Sequence, residues 1–266
     1  MPFSALAIDL DGTLLVGDEV PDENIDAVRA ARDAGLQVII ATARWSHFAL
    51  RICERIGISG PVIACSGAQV YDPQGGDVFD ERLPADFTAD LYEICNAERC
   101  IATITVDDHV QIKMDGEPAP GVLDEEMRWT QALQLEPADL PRVAAVQGSH
   151  CGARIREELA HAYRDTVNVL DSIGPTGKVI VTITARQATK GRALAAACAH
   201  LGLRPEEVVA FGDAENDVDM FALAGASVAM GQADAATQAA ATFVSKPNTE
   251  AGVAYGIHRL LEQGRL

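Results

Sequence analysis

Apolar segments alternate with amphipathic segments at both ends of this chain. Near the start, continuous apolar runs predict buried strands over 3–10, 36–42 and 61–65, and helical spacing predicts helices over 24–34 and 45–56. The alternation resumes after residue 189, where we expect helices over 190–201, 216–224 and 233–241 and strands over 208–211 and 227–230. Because strands that alternate with helices form parallel sheets with helices on both faces, the two regions together predict one doubly wound α/β domain.

The middle of the chain has a different pattern, which begins after about residue 70. Its segments are shorter and richer in glycine and proline, and period-2 alternation over 103–106 and 110–114 indicates antiparallel strands. Helices are expected near 86–97 and 153–165. We therefore predict an α/β core formed by residues 1–83 and 186–266, interrupted by an inserted α+β domain over residues 84–185.

The composition is that of an ordinary globular protein, with 48% hydrophobic and 23% charged residues. No apolar run approaches the roughly 18 residues that span a bilayer, and the first residues lack the pattern of a signal peptide, so neither a membrane nor a secreted protein is expected. The six cysteines form no CxxC pair. Cysteines without paired or regular spacing, in a chain of this size, are typical of a protein in a reducing compartment. We therefore predict a cytoplasmic protein.

The net charge is strongly negative, because 39 acidic residues outnumber 21 lysines and arginines to give -18. Such a surface repels nucleic acid, and no run of basic residues reverses the field locally. The expected partner is therefore a small molecule rather than a nucleic acid or a membrane. The sequence does not indicate an oligomeric state.

Two acidic clusters follow predicted buried strands. Asp9 and Asp11 stand two apart at the end of the first strand, and Asp213 follows the strand predicted over 208–211. Carboxylates are the ligands that hard divalent cations prefer, and Mg²⁺ takes only one or two of them from protein. Taken alone, the first cluster is also compatible with an ordinary turn. The remaining acids of the second cluster are interpreted as solvated residues of a helix start, namely Glu215 and Asp219.

Two further segments are typical of phosphate binding. Thr42, Ala43 and Arg44 connect the second predicted strand to a helix, where a hydroxyl and backbone N–H groups would face an anion. Lys190 opens the helix that restarts the α/β domain. A lone lysine at a helix start is usually an ordinary surface residue, but cations are disfavoured at that end of a helix, so a functional reason is more plausible here than usual.

In this order, the motifs DLDGT (9–13), TAR (42–44), TKG (189–191) and GDAEND (212–217) resemble those of the haloacid dehalogenase-like (HAD) hydrolase superfamily. An insertion after the third strand resembles the Cof-type branch of that superfamily, which has a C2 cap. The resemblance covers the whole chain, and the joint occurrence of the four motifs is highly specific. It implies a Rossmann-like, doubly wound parallel sheet core with an inserted α+β cap.

The resemblance also implies chemical roles around a Mg²⁺ ion. Asp9 would be the nucleophile and a metal ligand, and Asp11 the general acid/base, with its backbone carbonyl on the metal. Gly12 would support the turn between strand and loop. Asp213 would complete the metal site, and Asp217 would support it by orienting either a metal-bound water or the lysine.

For the phosphoryl group, the resemblance implies Thr42 and Lys190 as the principal contacts. Arg44 would add positive charge, and Asn216 would support the same site. The chain departs from the family pattern at two positions. Ala43 replaces a frequent glycine, which is harmless if only its N–H is needed, and Ser66 replaces a frequent asparagine, which leaves it a weak candidate for substrate binding.

The predicted function is a Mg²⁺-dependent phosphatase that hydrolyses a small phosphorylated metabolite through an aspartyl-phosphate on Asp9. A sugar phosphate is the family-level expectation, and a nucleotide or cofactor phosphate stays open. Two alternatives stay open as well, a phosphomutase and a non-catalytic protein that binds phosphorylated metabolites. A dehalogenase would need neither Asp11 nor the second acidic cluster. The inserted domain is expected to select the substrate, although its residues match no ligand motif.

Overall fold

The computed structural model describes residues 3–107, 109–136, 138–173 and 178–264, without the side chains of residues 172 and 173. The chain divides into two units. The core unit comprises the chain up to Asp80 and from Thr189 onward, and the inserted unit comprises Glu81–Ala188. The division thus falls after Asp80 and before Thr189. The sequence pattern places the same two boundaries near residues 83 and 186.

The first part of the core unit builds the following elements. Its helices and strands are β1 (Ala5–Asp9), α1 (Asp22–Asp33), β2 (Gln37–Ala41), α2 (Ser46–Ile56), β3 (Val62–Ala64), β4 (Gln69–Asp72) and β5 (Gly76–Asp80). Helix α1 begins with two acidic residues, Asp22 and Glu23, which the helix dipole favours at this end. The chain leaves α2 through Gly57 in the left-handed conformation, with φ 73°, where glycine carries no Cβ penalty.

The inserted unit continues the numbering. Its elements are α3 (Ala85–Ala97), β6 (Ile101–Thr105), β7 (Val110–Lys113), β8 (Met127–Thr130), β9 (Val143–Gln147), α4 (Ser149–Arg154), α5 (Ala160–Ala162), β10 (Val167–Ile173) and β11 (Val179–Ala185). A π-helical turn over Ile155–Leu159 joins α4 to α5. The helix predicted near 153–165 therefore begins earlier and is interrupted.

The chain returns to the core unit with α6 (Lys190–Leu201), β12 (Val208–Gly212), α7 (Val218–Leu223), β13 (Ala226–Ala229), α8 (Ala235–Ala240), β14 (Phe243–Val244) and α9 (Gly252–Glu262). A 3₁₀ turn over Glu215–Asp217 precedes α7, so the helix predicted over 216–224 is divided. Strand β14 and helix α9 have no counterpart in the sequence-based prediction.

The core sheet has the strand order β14-β13-β12-β1-β2-β3-β4-β5 in the described part of the chain. The strands from β14 to β3 are parallel, whereas β4 runs antiparallel to β3 and β5 antiparallel to β4. Because β4 follows β3 after only a short turn, the chain cannot cross over and must reverse. The segment after residue 70, where the sequence pattern changes, thus extends the core sheet at one edge.

Alternate residues of each core strand enter different hydrophobic clusters, which explains the continuous apolar runs. In β1, Leu6 and Ile8 pack with residues of α1, α2 and α9, whereas Ala5 and Ala7 pack with residues of α6 and α7. All four side chains are fully buried. The sheet is therefore covered on both faces, which confirms the predicted doubly wound α/β core.

The sheet of the inserted unit has the order β10-β11-β9-β6-β7-β8 among the described residues. Its neighbours are antiparallel except for the parallel pair of β7 and β8. A separate hydrophobic cluster contains side chains of α3, α4 and the strands, including Phe87, Leu91 and Ile104. The insertion is thus an α+β unit with a core of its own. Across the described residues, we find no helix with the length and apolarity needed to cross a membrane.

Candidate active site

Four of the residues singled out in the core unit lie at or just after the carboxyl ends of four neighbouring strands. Asp9 ends β1, Thr42 follows β2, Ser66 follows β3, and Asp213 follows β12. These strands are adjacent in the order β12-β1-β2-β3, so their ends meet at one edge of the sheet. In open α/β sheets this edge is where ligands bind.

A buried ion-pair group joins the first acidic cluster to the helix α6. Lys190 Nζ donates to Asp9 Oδ1 at 2.6 Å and to Asp217 Oδ1 at 2.7 Å. Lys190 is 1% exposed, Asp9 4% and Asp217 0%. Charged side chains are rarely buried unless they are paired. Here both carboxylates are paired with the Lys190 ammonium.

Asp217 is held in place by backbone groups as well as by the lysine. Its Oδ2 accepts hydrogen bonds from the backbone N–H of Asp213 at 3.0 Å and of Ala214 at 3.1 Å. These bonds tie the 3₁₀ turn to the end of β12. Of the two supports that the resemblance implies for Asp217, contact with Lys190 is the one found in the structure.

Asp213 completes the acidic group. One carboxylate oxygen from each of Asp9, Asp213 and Asp217 lies within 4.8 Å of the other two. Thr13 donates its hydroxyl to Asp213 Oδ1 at 3.0 Å, which links the loop after β1 to the loop after β12. Gly12 has a φ of +83°, and a Cβ there would collide with the Asp213 carboxylate. Glycine is therefore required by both the backbone conformation and the space.

The electrostatics of this group follow from three carboxylates facing one ammonium. Burial raises the pKa of Asp9 well above its usual value, and the charges of Asp217 and Asp213 add to this against the opposing effect of Lys190. Burial and the charge of Asp217 likewise raise the pKa of Asp213. For Lys190, burial acts to lower the pKa, but the Asp217 and Asp9 carboxylates outweigh it and raise the pKa. The group has excess negative charge.

The second carboxylate of the first loop has a different partner. Asp11 is exposed, and both of its carboxylate oxygens accept from Arg44 Nε, at 3.0 and 2.9 Å. The Arg44 guanidinium also lies over the Phe48 ring, 3.9 Å from its centroid. The resemblance implies that Arg44 supports phosphate binding, whereas the structure shows its guanidinium engaged by Asp11.

The segment after β2 contacts the segment after β3 through backbone hydrogen bonds. The Thr42 carbonyl accepts from Ser66 N at 3.1 Å, and the Thr42 hydroxyl accepts from Arg44 N at 3.1 Å. Thr42 is fully buried, Ala43 is exposed, and Ser66 is half-buried with a φ of +57°. Helix α2 starts only at Ser46, so residues 42–44 form a loop rather than the first turn of a helix.

Gly67 brings the loop after β3 against the start of α6. Its φ is +93°, and a Cβ would collide with the backbone of Thr189 and Lys190. On the opposite side, Gly191 N donates to Asp219 Oδ2 at 2.9 Å. Asp219 lies in the first turn of α7, as predicted, but its carboxylate is not simply solvated, because it accepts from the first turn of the helix that carries Lys190. The N-cap of that helix is Thr189, whose hydroxyl accepts from Arg192 N. Glu215 is exposed.

Two more residues support the site without having been singled out from the sequence. Gln232 donates from Nε2 to the carbonyl of Gly12 and accepts from Asn248 N at 3.0 Å, so it holds the turn of the DLDGT loop. Thr13 was part of that motif but had no assigned role. No local pattern marks Gln232, which follows β13 in a loop. Asn216 lies half-buried in the 3₁₀ turn before α7.

Comparisons with known proteins show which family the chain belongs to. The sequence model of the haloacid dehalogenase-like hydrolases matches residues 6–257. The chain is 30% identical to the pyridoxal phosphate phosphatase YbhA of Escherichia coli (strain K12), over 97% of this chain and 98% of that one. It is 28% identical to the 5-amino-6-(5-phospho-D-ribitylamino)uracil phosphatase YwtE of Bacillus subtilis (strain 168), with the same coverage.

Among solved structures, the fold is similar to that of a sugar phosphatase of HAD subclass IIB. The TM-score is 0.78 with 21% identity, and the match covers 99% of this chain and 100% of the other. The sequence match extends through both units, and the motifs that carried the resemblance lie together at one edge of the core sheet. The chain is an enzyme that belongs to the haloacid dehalogenase-like hydrolase family.

Proposed function

We propose that this protein is a Mg²⁺-dependent phosphatase that hydrolyses a small phosphorylated metabolite through an aspartyl-phosphate on Asp9. The observation that carries the proposal is the buried group in which Lys190 bridges Asp9 and Asp217 beside Asp213. Phosphoryl transfer depends mainly on positioning and on neutralising negative charge. This group supplies a positioned carboxylate and a fixed cation at the edge of the sheet.

The residues of the acidic group fit a hard divalent cation. Among the described residues, no group hydrogen-bonds the buried Asp9 Oδ2. The three carboxylates outnumber the one ammonium, and all the candidate donors are oxygens, which Mg²⁺ prefers. We assign Asp9, Asp213 and the backbone carbonyl of Asp11 as its ligands. When bound, the ion would neutralise charge on the phosphoryl oxygens and lower the barrier to attack by an anion.

Asp9 is proposed as the nucleophile. Its carboxylate would form a bond to phosphorus as the bond from phosphorus to the leaving oxygen breaks, which gives an aspartyl-phosphate. Lys190 supports this step in two ways, because its hydrogen bond at 2.6 Å orients the carboxylate and its charge favours the ionised form. Asp217 holds Lys190 from the other side at 2.7 Å, so we assign it as a positioning residue.

Asp11 is proposed as the general acid and base. It would give a proton to the leaving oxygen in the first step and take one from the water that hydrolyses the aspartyl-phosphate in the second. Its carboxylate is exposed, whereas that of Asp9 is buried beside Lys190, so Asp11 is free to face the leaving oxygen while Asp9 faces phosphorus. The salt bridge with Arg44 would aim this carboxylate before the substrate arrives. Arg44 would then either keep that position or turn towards the phosphoryl group.

For phosphate binding we propose the Thr42 hydroxyl, the backbone N–H of the exposed Ala43, and Lys190. The loop that carries Thr42 and Ala43 is held by backbone hydrogen bonds to Ser66 and Cys65. Backbone N–H groups in such a loop cost little to reorganise when an anion binds. Asn216 and Ser66 are proposed as further substrate contacts, the second weakly.

The proposed substrate is a phosphomonoester of a small metabolite. The relatives described above act on a pyridoxal phosphate, a phosphoribitylamino-uracil and a sugar phosphate, which share that chemical group. We propose that the inserted unit selects among such compounds, since every proposed catalytic residue belongs to the core unit. We also propose a cytoplasmic location. All six cysteines are free thiols, which is typical of proteins in a reducing compartment.

The test is phosphate release across a panel of phosphorylated metabolites. The panel would include sugar phosphates, pyridoxal phosphate and a nucleoside monophosphate, each with Mg²⁺, with excess EDTA, and with Mg²⁺ restored. We expect release only when Mg²⁺ is present, and without any added sugar bisphosphate, which a phosphomutase would need. Full activity in EDTA, or no release from any compound by a folded enzyme, would falsify the proposal.

A further inference from the structure

Three cysteine thiols meet in the inserted unit, away from every residue used above. Cys95 belongs to the last turn of α3, Cys100 immediately precedes β6, and Cys151 lies in α4. Their Sγ atoms all lie within 4.8 Å of one another, and those of Cys95 and Cys151 are 4.0 Å apart. None of the three residues is more than 6% exposed. The cluster therefore presents three soft donor atoms around one point.

The spacing of these atoms suits a single metal ion. A Zn–S bond is about 2.3 Å long, so two sulfurs on one ion lie about 3.8 Å apart in a tetrahedral arrangement and about 4.0 Å apart in a trigonal one. The separation of Cys95 and Cys151 matches these values. Among the described residues, no histidine or carboxylate belongs to the same group. The donor set is thus purely thiol, which selects a thiophilic ion.

Charge identifies the ion more closely. Lys113 is 3% exposed, and its Nζ lies 2.8 Å from the Glu98 carbonyl, 3.5 Å from the Cys100 carbonyl and 3.9 Å from Cys100 Sγ. A buried ammonium favours a negative neighbour. Three thiolates, this ammonium and a divalent ion sum to zero charge, whereas a monovalent ion such as Cu⁺ would leave a buried negative charge.

One member of the cluster borders a cavity. Cys100 lines a cavity of about 700 Å³, together with Gln147, Gly148 and Gly152 on the side of Cys151. Three protein ligands leave one position of a tetrahedral zinc site open, and water commonly takes it. A cavity beside Cys100 can supply that water as well as the path by which the ion enters.

We propose that Cys95, Cys100 and Cys151 bind one Zn²⁺ ion through three thiolates, with water from the adjacent cavity as the fourth ligand. On binding, three Zn–S bonds form and each protonated thiol releases its proton to solvent, with no change of oxidation state. The ion would tie the end of α3 and the start of β6 to α4, and so stabilise the inserted unit. This inference does not depend on the proposed phosphatase chemistry.

The first experiment uses the full-length wild-type protein, reduced with a phosphine and stripped of metal with a chelator that is then removed. Co²⁺ is titrated in as a spectroscopic substitute for Zn²⁺. We expect a thiolate-to-cobalt charge-transfer band that saturates at one equivalent per chain and disappears when Zn²⁺ is added. The carboxylates of the core unit cannot produce that band, so binding there does not interfere. Absence of the band from the reduced protein would overturn the proposal.

Single variants then assign the ligands. Cys95→Ser, Cys100→Ser and Cys151→Ser should each lose the band, whereas Cys198→Ser, which changes a fully buried cysteine of the core unit, should keep it. A band that survives in all three serine variants would overturn the assignment. Should the serine variants fail to fold, labelling of the wild type with iodoacetamide decides instead. Zn²⁺ at a concentration well above its dissociation constant should slow the labelling of the three cysteines by about tenfold or more and leave the labelling rate of Cys53 unchanged. Equal slowing at all cysteines, or no slowing at any of them, would reject the site.

Discussion

Lys190 Nζ lies 2.6 Å from Asp9 Oδ1, although the two residues are 181 positions apart in the chain. The lysine starts α6 and the aspartate ends β1, so the contact connects the two segments of the core unit that flank the insertion. Both side chains are buried, and each depends on the other for charge compensation.

Lys190→Met should destabilise the protein as well as inactivate it. The change leaves Asp9 and Asp217 buried without their shared cation, and breaking a buried ion pair by removing one partner costs about 3–5 kcal/mol. Denaturant unfolding of the protein without metal would measure the loss. Lys246→Met, which changes an exposed lysine of the same unit and removes only its contact with the Tyr255 ring, is the control and should stay within about 1 kcal/mol of wild type. An equal effect of both changes would contradict the importance of the buried pair.

Asp9→Asn should abolish turnover while preserving the fold. The amide has the size of the carboxylate but cannot attack phosphorus, so we expect kcat to fall by at least about a thousandfold. Steady-state phosphate release, with circular dichroism as the check on folding, would measure this. A variant that kept a tenth of the wild-type rate would show that another residue is the nucleophile.

Asp11→Asn should distinguish the role of Asp11 from that of Asp9, the other carboxylate of the first loop. Loss of a general acid/base costs roughly 10²–10⁴ in rate, most severely for alkyl phosphates, whose leaving oxygen needs a proton. With an activated aryl ester the first step should suffer less than the second, so phosphorylated Asp9 should accumulate. Mass spectrometry of acid-quenched enzyme would find one phosphoryl group on the peptide that contains Asp9. An adduct on a different peptide would disprove the assignment.

Gly12→Ala should weaken the metal site through a direct collision. Gly12 and Gly17 both have positive φ, at +83° and +63°, but only at Gly12 would a Cβ meet the Asp213 carboxylate. Each change should cost roughly 1–2 kcal/mol of backbone strain. Gly12→Ala should in addition raise the Mg²⁺ concentration needed for half-maximal activity, and Gly17→Ala should not. If the two variants respond alike to Mg²⁺, Gly12 matters only for its backbone conformation.

Asp219→Ala should loosen the start of α6. The Asp219 carboxylate accepts from Gly191 N at 2.9 Å and lies near the positive end of the helix dipole. Loss of this hydrogen bond costs about 1 kcal/mol of stability, while Thr189 still caps the helix through Arg192 N. Since Lys190 is the preceding residue, we also expect a lower kcat with a smaller change in KM. Glu215→Ala, at an exposed position in the same acidic cluster, serves as the control and should change neither quantity.

Much of the fold is visible in the sequence because its signals are local. The apolar run that becomes β1 and the helical spacing of α6 reflect burial of whole strands and of one helix face, and both patterns are complete within a dozen residues. The sequence pattern was silent where neighbours in space decide the outcome. The prediction assigns residues up to 83 to the core but no strand to β4, whose antiparallel pairing follows from the four-residue connection after β3 that forces the chain to reverse.

The candidate site divides in the same way. The sequence by itself determined which residues have suitable chemistry, since carboxylates that follow apolar strands must lie at the ends of those strands and Lys190 opens a helix. Only the tertiary structure decided their partners, as in the contact of Arg44 with Asp11, the hydrogen bond from Gly191 to Asp219 and the convergence of Cys95, Cys100 and Cys151. The physical reason is that a side chain reaches only a few ångströms. The neighbours within that reach are set by strand order and helix packing, which no short window of sequence encodes.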